Sequence, residues 1–173
     1  MSALLPGIRE ADPADVPTIA DVCARATRQA YNGLVTDDYI DRVIAHWYGH
    51  ERLHREIFPT PLWFGFDVAT VGDIVVGVAG SGWGDDEGAE LFTLYVDPAW
   101  HRRGIGRALV EHESRRVRRV GAARLDVAVM PGNAPAVLFY ERCGFAYTCE
   151  RPIHAPHGRE GGPDHAVVYS LAL

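Results

Sequence analysis

Two hydrophobic rhythms alternate along the chain. Ile8-Arg-Glu-Ala reads as a short strand, and Asp12-Pro13 then opens a segment with helical spacing, where Ala14, Ile19, Val22, Cys23 and Ala26 share one side. Asp12 is placed to cap that helix, with Pro13 at its first position, and Asn32-Gly33 closes it after Tyr31. Thr36-Asp37-Asp38 starts a second helix to about Trp47, with further helix up to Phe58. After Pro59 and Pro61 the rhythm changes. Leu62–Val71 and Asp73–Trp83 read as strands around a turn at Gly72, and Ala89–Val96 follows a turn at Gly84–Gly88. A helix then runs from Gly104 to near Gly121, followed by a buried strand, Arg124–Met130. A short helix capped by Asn133 and stopped by Gly144 precedes two last strands, Phe145–Arg151 and His165–Leu173. The order predicts an α/β fold (α+β mixed sheet): a central twisted mixed sheet of about seven strands, with helices on both faces.

Composition changes the picture little. A chain of 173 residues, 47% apolar and 23% charged, suits one domain spanning 1–173. No basic segment followed by a long apolar run opens it, and no apolar run is long enough to span a bilayer. Cys23, Cys143 and Cys149 lack metal-site spacing and read as reduced, mostly buried thiols, so the expected location is cytoplasmic. His154, His157 and His165 also lack metal spacing and read as part of a mobile polar loop, so no metal is expected.

Charge is more informative. The net charge is −6, and all 17 basic side chains are arginines. Eight of them lie between Arg102 and Arg124, whereas Asp37, Asp38 and Asp41, then Asp85, Asp86, Glu87 and Glu90, gather the acids. A basic sector for a polyanionic cofactor and an acidic approach for a cationic partner would explain the split, as would solvated helix faces and turns. Nucleic acid and membrane are not expected partners.

The strongest local signal is Leu94-Tyr-Val-Asp-Pro-Ala-Trp-His-Arg-Arg-Gly-Ile-Gly-Arg, a strand broken at Asp97-Pro98 and a glycine-bearing basic turn that opens into a helix. Gly104 and Gly106 allow close backbone approach, and the free N–H groups at the helix start suit a phosphate or pyrophosphate. A Walker-type loop would need a lysine, which the chain lacks. A dinucleotide fingerprint needs a third glycine where Leu109 stands, although Asp126 lies about where such folds place a ribose-binding acid. A structural turn and a coenzyme A site remain.

His101-Arg-Arg-Gly104-Ile-Gly106, with Leu-Tyr-Val-Asp-Pro upstream and Asn133…Phe139-Tyr-Glu-Arg-Cys-Gly144-Phe145 downstream, resembles the GCN5-related N-acetyltransferase (GNAT) superfamily. The resemblance covers roughly residues 8–151, and residues 62–148 carry nearly all its specificity. His101 departs from the family's Gln or Arg, a change a loop that works through backbone N–H groups should tolerate. The resemblance implies acetyl-CoA as cofactor. It places the pantetheine arm against Leu94, Tyr95 and Val96 and the pyrophosphate on the amides of Arg102, Arg103, Gly104, Ile105, Gly106 and Arg107, with His101 in the motif and Asn133 bonding the arm. It also implies a gap between the strand ending at Val96 and the strand Arg124–Met130.

Acetyl transfer needs a neutral amine, a proton acceptor, a donor to the thioester oxygen and a proton for the departing thiolate. Glu90 is the candidate base, with Asp85, Asp86 and Glu87 as substitutes. By resemblance, a backbone amide near Leu94 or Tyr95 meets the oxygen, and Tyr140 protonates the thiolate. Tyr31, Asp37 and Tyr39, with Asp38 beside them, are candidate acceptor contacts. The expected activity is direct acetyl transfer to a primary amine of a small molecule, of cationic polyamine, amino-sugar or amino-acid type. Acetylation of a protein or peptide N terminus or of lysine is the alternative, and a non-catalytic acyl-CoA sensor the alternative from another class. Pairing of two copies through the C-terminal strands, a homodimer, is expected by resemblance.

Overall fold

The computed structural model describes residues 6–84 and 88–173. Seven strands form one sheet in the order β1-β2-β3-β4-β5-β7-β6. They are β1 (Gly7–Glu10), β2 (Trp63–Val71), β3 (Ile74–Trp83), β4 (Ala89–Val96), β5 (Arg124–Val129), β6 (Ala146–Pro152) and β7 (His165–Ala172). Every neighbouring pair is antiparallel except β4 with β5, which is parallel. The helices are α1 (Val16–Tyr31), α2 (Asp37–Trp47), α3 (His50–Glu56), α4 (Ile105–Arg119) and α5 (Ala134–Arg142). None is long and apolar enough among the described residues to cross a membrane.

The capping residues act where the sequence puts them. Asp12 accepts from Ala14 N at 2.8 Å while Asp15 reaches back to Asp12 N at 2.9 Å, a reciprocal box around a single 3₁₀ turn that leads into α1. Thr36 caps α2, and Asn133 caps α5. Gly144 ends α5 at φ +95°, the left-handed conformation in which a missing Cβ matters.

The sheet divides the interior into two cores. On one face Ile105, Leu109, Val110 and Val117 of α4 and Tyr140 of α5 pack on Val76, Leu91, Leu125 and Val127. On the other, Val16, Ile19, Val22 and Cys23 of α1 join Tyr39, Val43, Tyr48 and Leu53 over Phe66, Val68 and Val78. The expected α1 stripe is buried apart from Ala14, which is exposed. The three thiols are free, but Cys149 is exposed on edge strand β6 rather than buried.

The segment between β6 and β7 is tied down, contrary to the expectation of a mobile loop. Thr36 N donates to Gly161 O at 3.1 Å, and Arg42 donates to His157 O at 3.0 Å and to Glu160 O. Gly162 lies so close to the Tyr39 ring that no Cβ would fit. This strap crosses α2.

Candidate active site

A fork in the sheet defines the site. β4 and β5 are in register only at Ala89↔Leu125 and Glu90↔Asp126. β3, by contrast, pairs with β4 from Trp83↔Ala89 to Gly77↔Val96. Strand backbone alternates, and with Asp97 N–H bonded to Val76 O it is Leu94 and Val96 that turn their backbone to the β5 side, where no strand meets it and an extended ligand with amide groups can pair. A bulge sits just below: Ser81 opposes Leu91 and Gly80 opposes Thr93, so Phe92 is the extra residue. A bulge adds local twist and re-aims side chains. Past it, Leu94 and Val96 pack against the α4 core and Tyr95 against the α1 core.

The turn after β4 is held from several sides. Asp97 accepts from Ala99 N at 3.0 Å and ion-pairs with Arg25 at 2.5 Å, pinning the turn to α1. Burial opposes ionisation of Asp97, but those partners outweigh it and hold its carboxyl below the usual range. His101 Nε2 lies 2.9 Å from Val96 O, and the Arg103 guanidinium rests 4.7 Å from the Trp100 ring centroid. Arg102 has φ +58° and Gly104 φ +80°, two left-handed residues immediately before α4. The free N–H groups at the start of α4 are thereby collected at the open end of the fork.

The two glycines serve different needs. A Cβ on Gly104 would meet nothing within 4 Å, so its requirement is the backbone angle. A Cβ on Gly106 would lie 3.2 Å from Phe139 of α5, so that glycine lets α4 and α5 approach each other rather than admitting a ligand. Arg107, whose guanidinium donates to Arg142 O at 2.7 Å, adds a second tie between those helices. Other arginines of the basic run also work internally. Arg116 pairs with Asp67, and Arg124 with Asp126 at 2.8 Å, so the run is only partly a cofactor-facing sector.

Across the fork, Asn133 Oδ1 accepts from Ala136 N at 3.2 Å, and its amide N–H groups make no hydrogen bond among the described residues. Tyr140 follows two turns later, buried between Phe139 and Phe145 with ring centroids at 5.1 and 5.3 Å. Burial, then Cys143 and Tyr31, push its phenol up, so it stays protonated. Glu90 stands at the closed end of the fork, buried and ion-paired with Arg151. Asp85, Asp86 and Glu87 lie outside the described residues.

The acceptor candidates differ in burial. Asp37 and Asp38 are exposed in the first turn of α2, and Asp41 pairs with Arg28 at 2.7 Å. Tyr39 is buried under the strap, with His157 edge-on at 5.1 Å. Tyr31 joins a group that the sequence analysis missed, on the α1 face of the open part of β4. Tyr48 and Tyr95 meet there with hydroxyls 3.4 Å apart, next to Thr27 and Thr93. Thr27 occupies the apolar stripe of α1 one turn before Tyr31, and that position was its only signal.

A second polar cluster was also missed, beneath α4. Ser81 donates to Glu113, and Arg116 bridges Asp67, Phe64 O and Glu113. Asp67, His112 and Glu113 offer ligand atoms within 4.8 Å of one another. The Arg116 guanidinium supplies a cation there, and the group ties α4 to the sheet. Burial, reinforced by Asp67, pushes Glu113 up to about 8.

Comparison with known proteins agrees with this geometry. The paia N-acetyltransferase of Thermoplasma acidophilum, solved with coenzyme A, superposes with a TM-score of 0.81 at 20% identity, covering 97% of this chain and 99% of that one. The ribosomal-protein-S18-alanine N-acetyltransferase of Escherichia coli gives 0.68 at 22%, covering 97% and 94%. In sequence, the [ribosomal protein bS18]-alanine N-acetyltransferase of Escherichia coli (strain K12) is 35% identical over 85 residues, 49% of this chain and 56% of that protein. A mycothiol acetyltransferase of Nocardiopsis dassonvillei is 30% identical over 148 residues, 79% of this chain and 40% of that protein. The chain thus spans about half the length of the curated relatives it matches. Residues 25–145, which contain the fork, the turn, Asn133 and Tyr140, match the Acetyltransferase (GNAT) family, and the chain belongs to it.

Proposed function

We propose that the protein is an acetyl-CoA-dependent N-acetyltransferase that passes the acetyl group directly to a primary amine of a small molecule. The observation that carries this reading is the fork itself: β4 backbone at Leu94 and Val96 with no strand beside it, followed by a turn with two left-handed residues that opens into α4. In this reading the amides of Arg102–Arg107 hold the pyrophosphate, and β4 backbone with the free Asn133 amide holds the pantetheine arm. A backbone N–H near Leu94 or Tyr95 meets the developing negative charge on the thioester oxygen. Tyr140 gives its proton to the departing thiolate, and Glu90 receives the amine's proton through water.

A second reading takes a peptide N terminus as acceptor. It is favoured by the similarity to the bS18-alanine N-acetyltransferase, 35% identical over 85 residues.

The test is release of CoA thiol from acetyl-CoA across amines, amino acids, amino sugars and peptides, with acetyl-CoA affinity measured on the same protein. Turnover that falls at least about 100-fold in Tyr140→Phe, with acetyl-CoA affinity kept, supports the enzyme. Binding without turnover on any acceptor supports a non-catalytic sensor. Absence of binding overturns the reading.

A further inference from the structure

The strap between β6 and β7 seats on α2 a ring whose own bonding is incomplete. His157 packs edge-on to Tyr39 at 5.1 Å and lies 5.9 Å from the His46 ring and 6.4 Å from that of Trp47. Both of its ring nitrogens are buried, and neither has a hydrogen-bond partner among the described residues. The bonds that tie the strap run through backbone instead: Arg42 to His157 O and Glu160 O, and Thr36 N to Gly161 O. A neutral imidazole in this seat forgoes one donated and one accepted bond. An imidazolium would forgo two donated bonds and carry a charge out of water as well.

The neighbours disfavour the charged form further. From α2, Tyr39, Arg42 and His46 face the ring. From α3, Arg52 reaches the same place, 4.2 Å from the Trp47 ring centroid and 3.1 Å from His46 Nε2. An arginine only donates, so that His46 nitrogen accepts and its ring is neutral. Glu56, the acid that bears on His46, is itself held by Arg52 at 2.9 Å. Within the strap, His154 bears on the ring, while Arg159 and Glu160 are exposed. Burial lowers the His157 pKa, and His46, Arg42 and His154 lower it again, with no carboxylate opposing them.

We propose that the strap is a pH-dependent latch: His157 seats against α2 only as the neutral imidazole, and its protonation lifts about residues 153–164 while β6 and β7 stay paired. The two strands pair from Ala146↔Ser170 to Pro152↔His165, outside the strap, so the sheet does not need the latch closed. A histidine whose folded value lies below its ordinary 6.5 contributes fully above 6.5, and that contribution is lost progressively as pH falls below it. Opening uncovers Tyr39, 1% exposed beneath the strap, next to Asp37 and Asp38 at the start of α2.

The experiment is amide exchange at about pH 7.5 and 5.5, corrected for intrinsic rates, in the native chain and in His157→Phe, whose ring takes no proton. The Thr36 amide, which donates to Gly161 O, reports the closed latch directly. In the native chain its protection, with that of the strap, is expected to fall several-fold on acidification. The limit is about tenfold, for a ring of ordinary pKa about 6.5 that must be neutral to seat. Protection in β7 should not fall, and His157→Phe should abolish the pH dependence. Native protection that ignores pH overturns the proposal, as does an equal fall in His157→Phe. If that variant leaves the strap open at both pH values, NMR titration of the native imidazoles decides. His157 titrating below the exposed His50 and His54 supports the latch, and His157 titrating with them overturns it.

Discussion

Glu90 faces Asp126 across the last registered rung between β4 and β5, and each carboxylate is held by its own arginine, Arg151 for Glu90 and Arg124 for Asp126. Two acids side by side in a sheet repel, and the paired guanidiniums let them share the closed end of the fork. The rung also marks where the strands part. Above it, β4 backbone is free for a ligand; below it, the two halves of the sheet are joined.

If Glu90 receives the amine's proton, Glu90→Gln keeps the shape and loses the acceptor. The expected loss in kcat is about 100-fold or more at pH 7, shrinking at alkaline pH where solvent hydroxide takes over. A pH–rate profile checks it. A profile parallel to that of the native enzyme would assign Glu90 to structure.

The glycines of the turn separate by mechanism. Gly104→Ala forces a Cβ into φ +80°, at a cost of about 1–2 kcal/mol that falls on the conformation presenting the amides. Its expected effect is a roughly tenfold weaker acetyl-CoA affinity with little change in fold. Gly106→Val presses on Phe139, already 3.2 Å from a bare Cβ, and should lower Tm by several degrees. Calorimetry and thermal unfolding of both variants test the division.

Stability should depend on pH through Glu113. Its folded value is raised from 4.5 to about 8 by burial and by Asp67. A raised carboxyl contributes stability fully below its unfolded value, progressively less between 4.5 and about 8, and none above. Glu113→Gln keeps a neutral partner for Ser81 and removes this titration. The expected outcome is a flatter stability profile across that window, with a gain over the native chain near pH 8. Denaturant unfolding at several pH values measures it; parallel profiles would show that Glu113 ionises freely.

The strap between β6 and β7 depends on Gly162. A Cβ there would strike the Tyr39 ring, so Gly162→Ala should lift the strap from α2 while leaving the sheet intact. Faster amide exchange confined to about residues 153–164, without loss of protection in β7, is the expected signature. Unchanged exchange would show that the ring yields instead.

The elements and their order were legible in the chain, because caps, turns and periodic apolar faces are local. Asp12, Thr36, Asn133 and Gly144 start or stop their helices through bonds and dihedrals confined to a few residues. The glycine turn, Asn133 and the Tyr140 segment were legible for the same reason. Tertiary structure decided what those residues face. Gly106 looked like a ligand-facing glycine until Phe139 was placed against it. Arg116 looked like surface charge until it met Asp67, 49 residues away along the chain. Thr27 drew no attention in the sequence, and only the docking of α1 on β4 set Tyr95 beside it. A side chain's neighbours across a sheet are set by strand register and helix docking, which depend on the whole core at once and leave no mark in the local sequence.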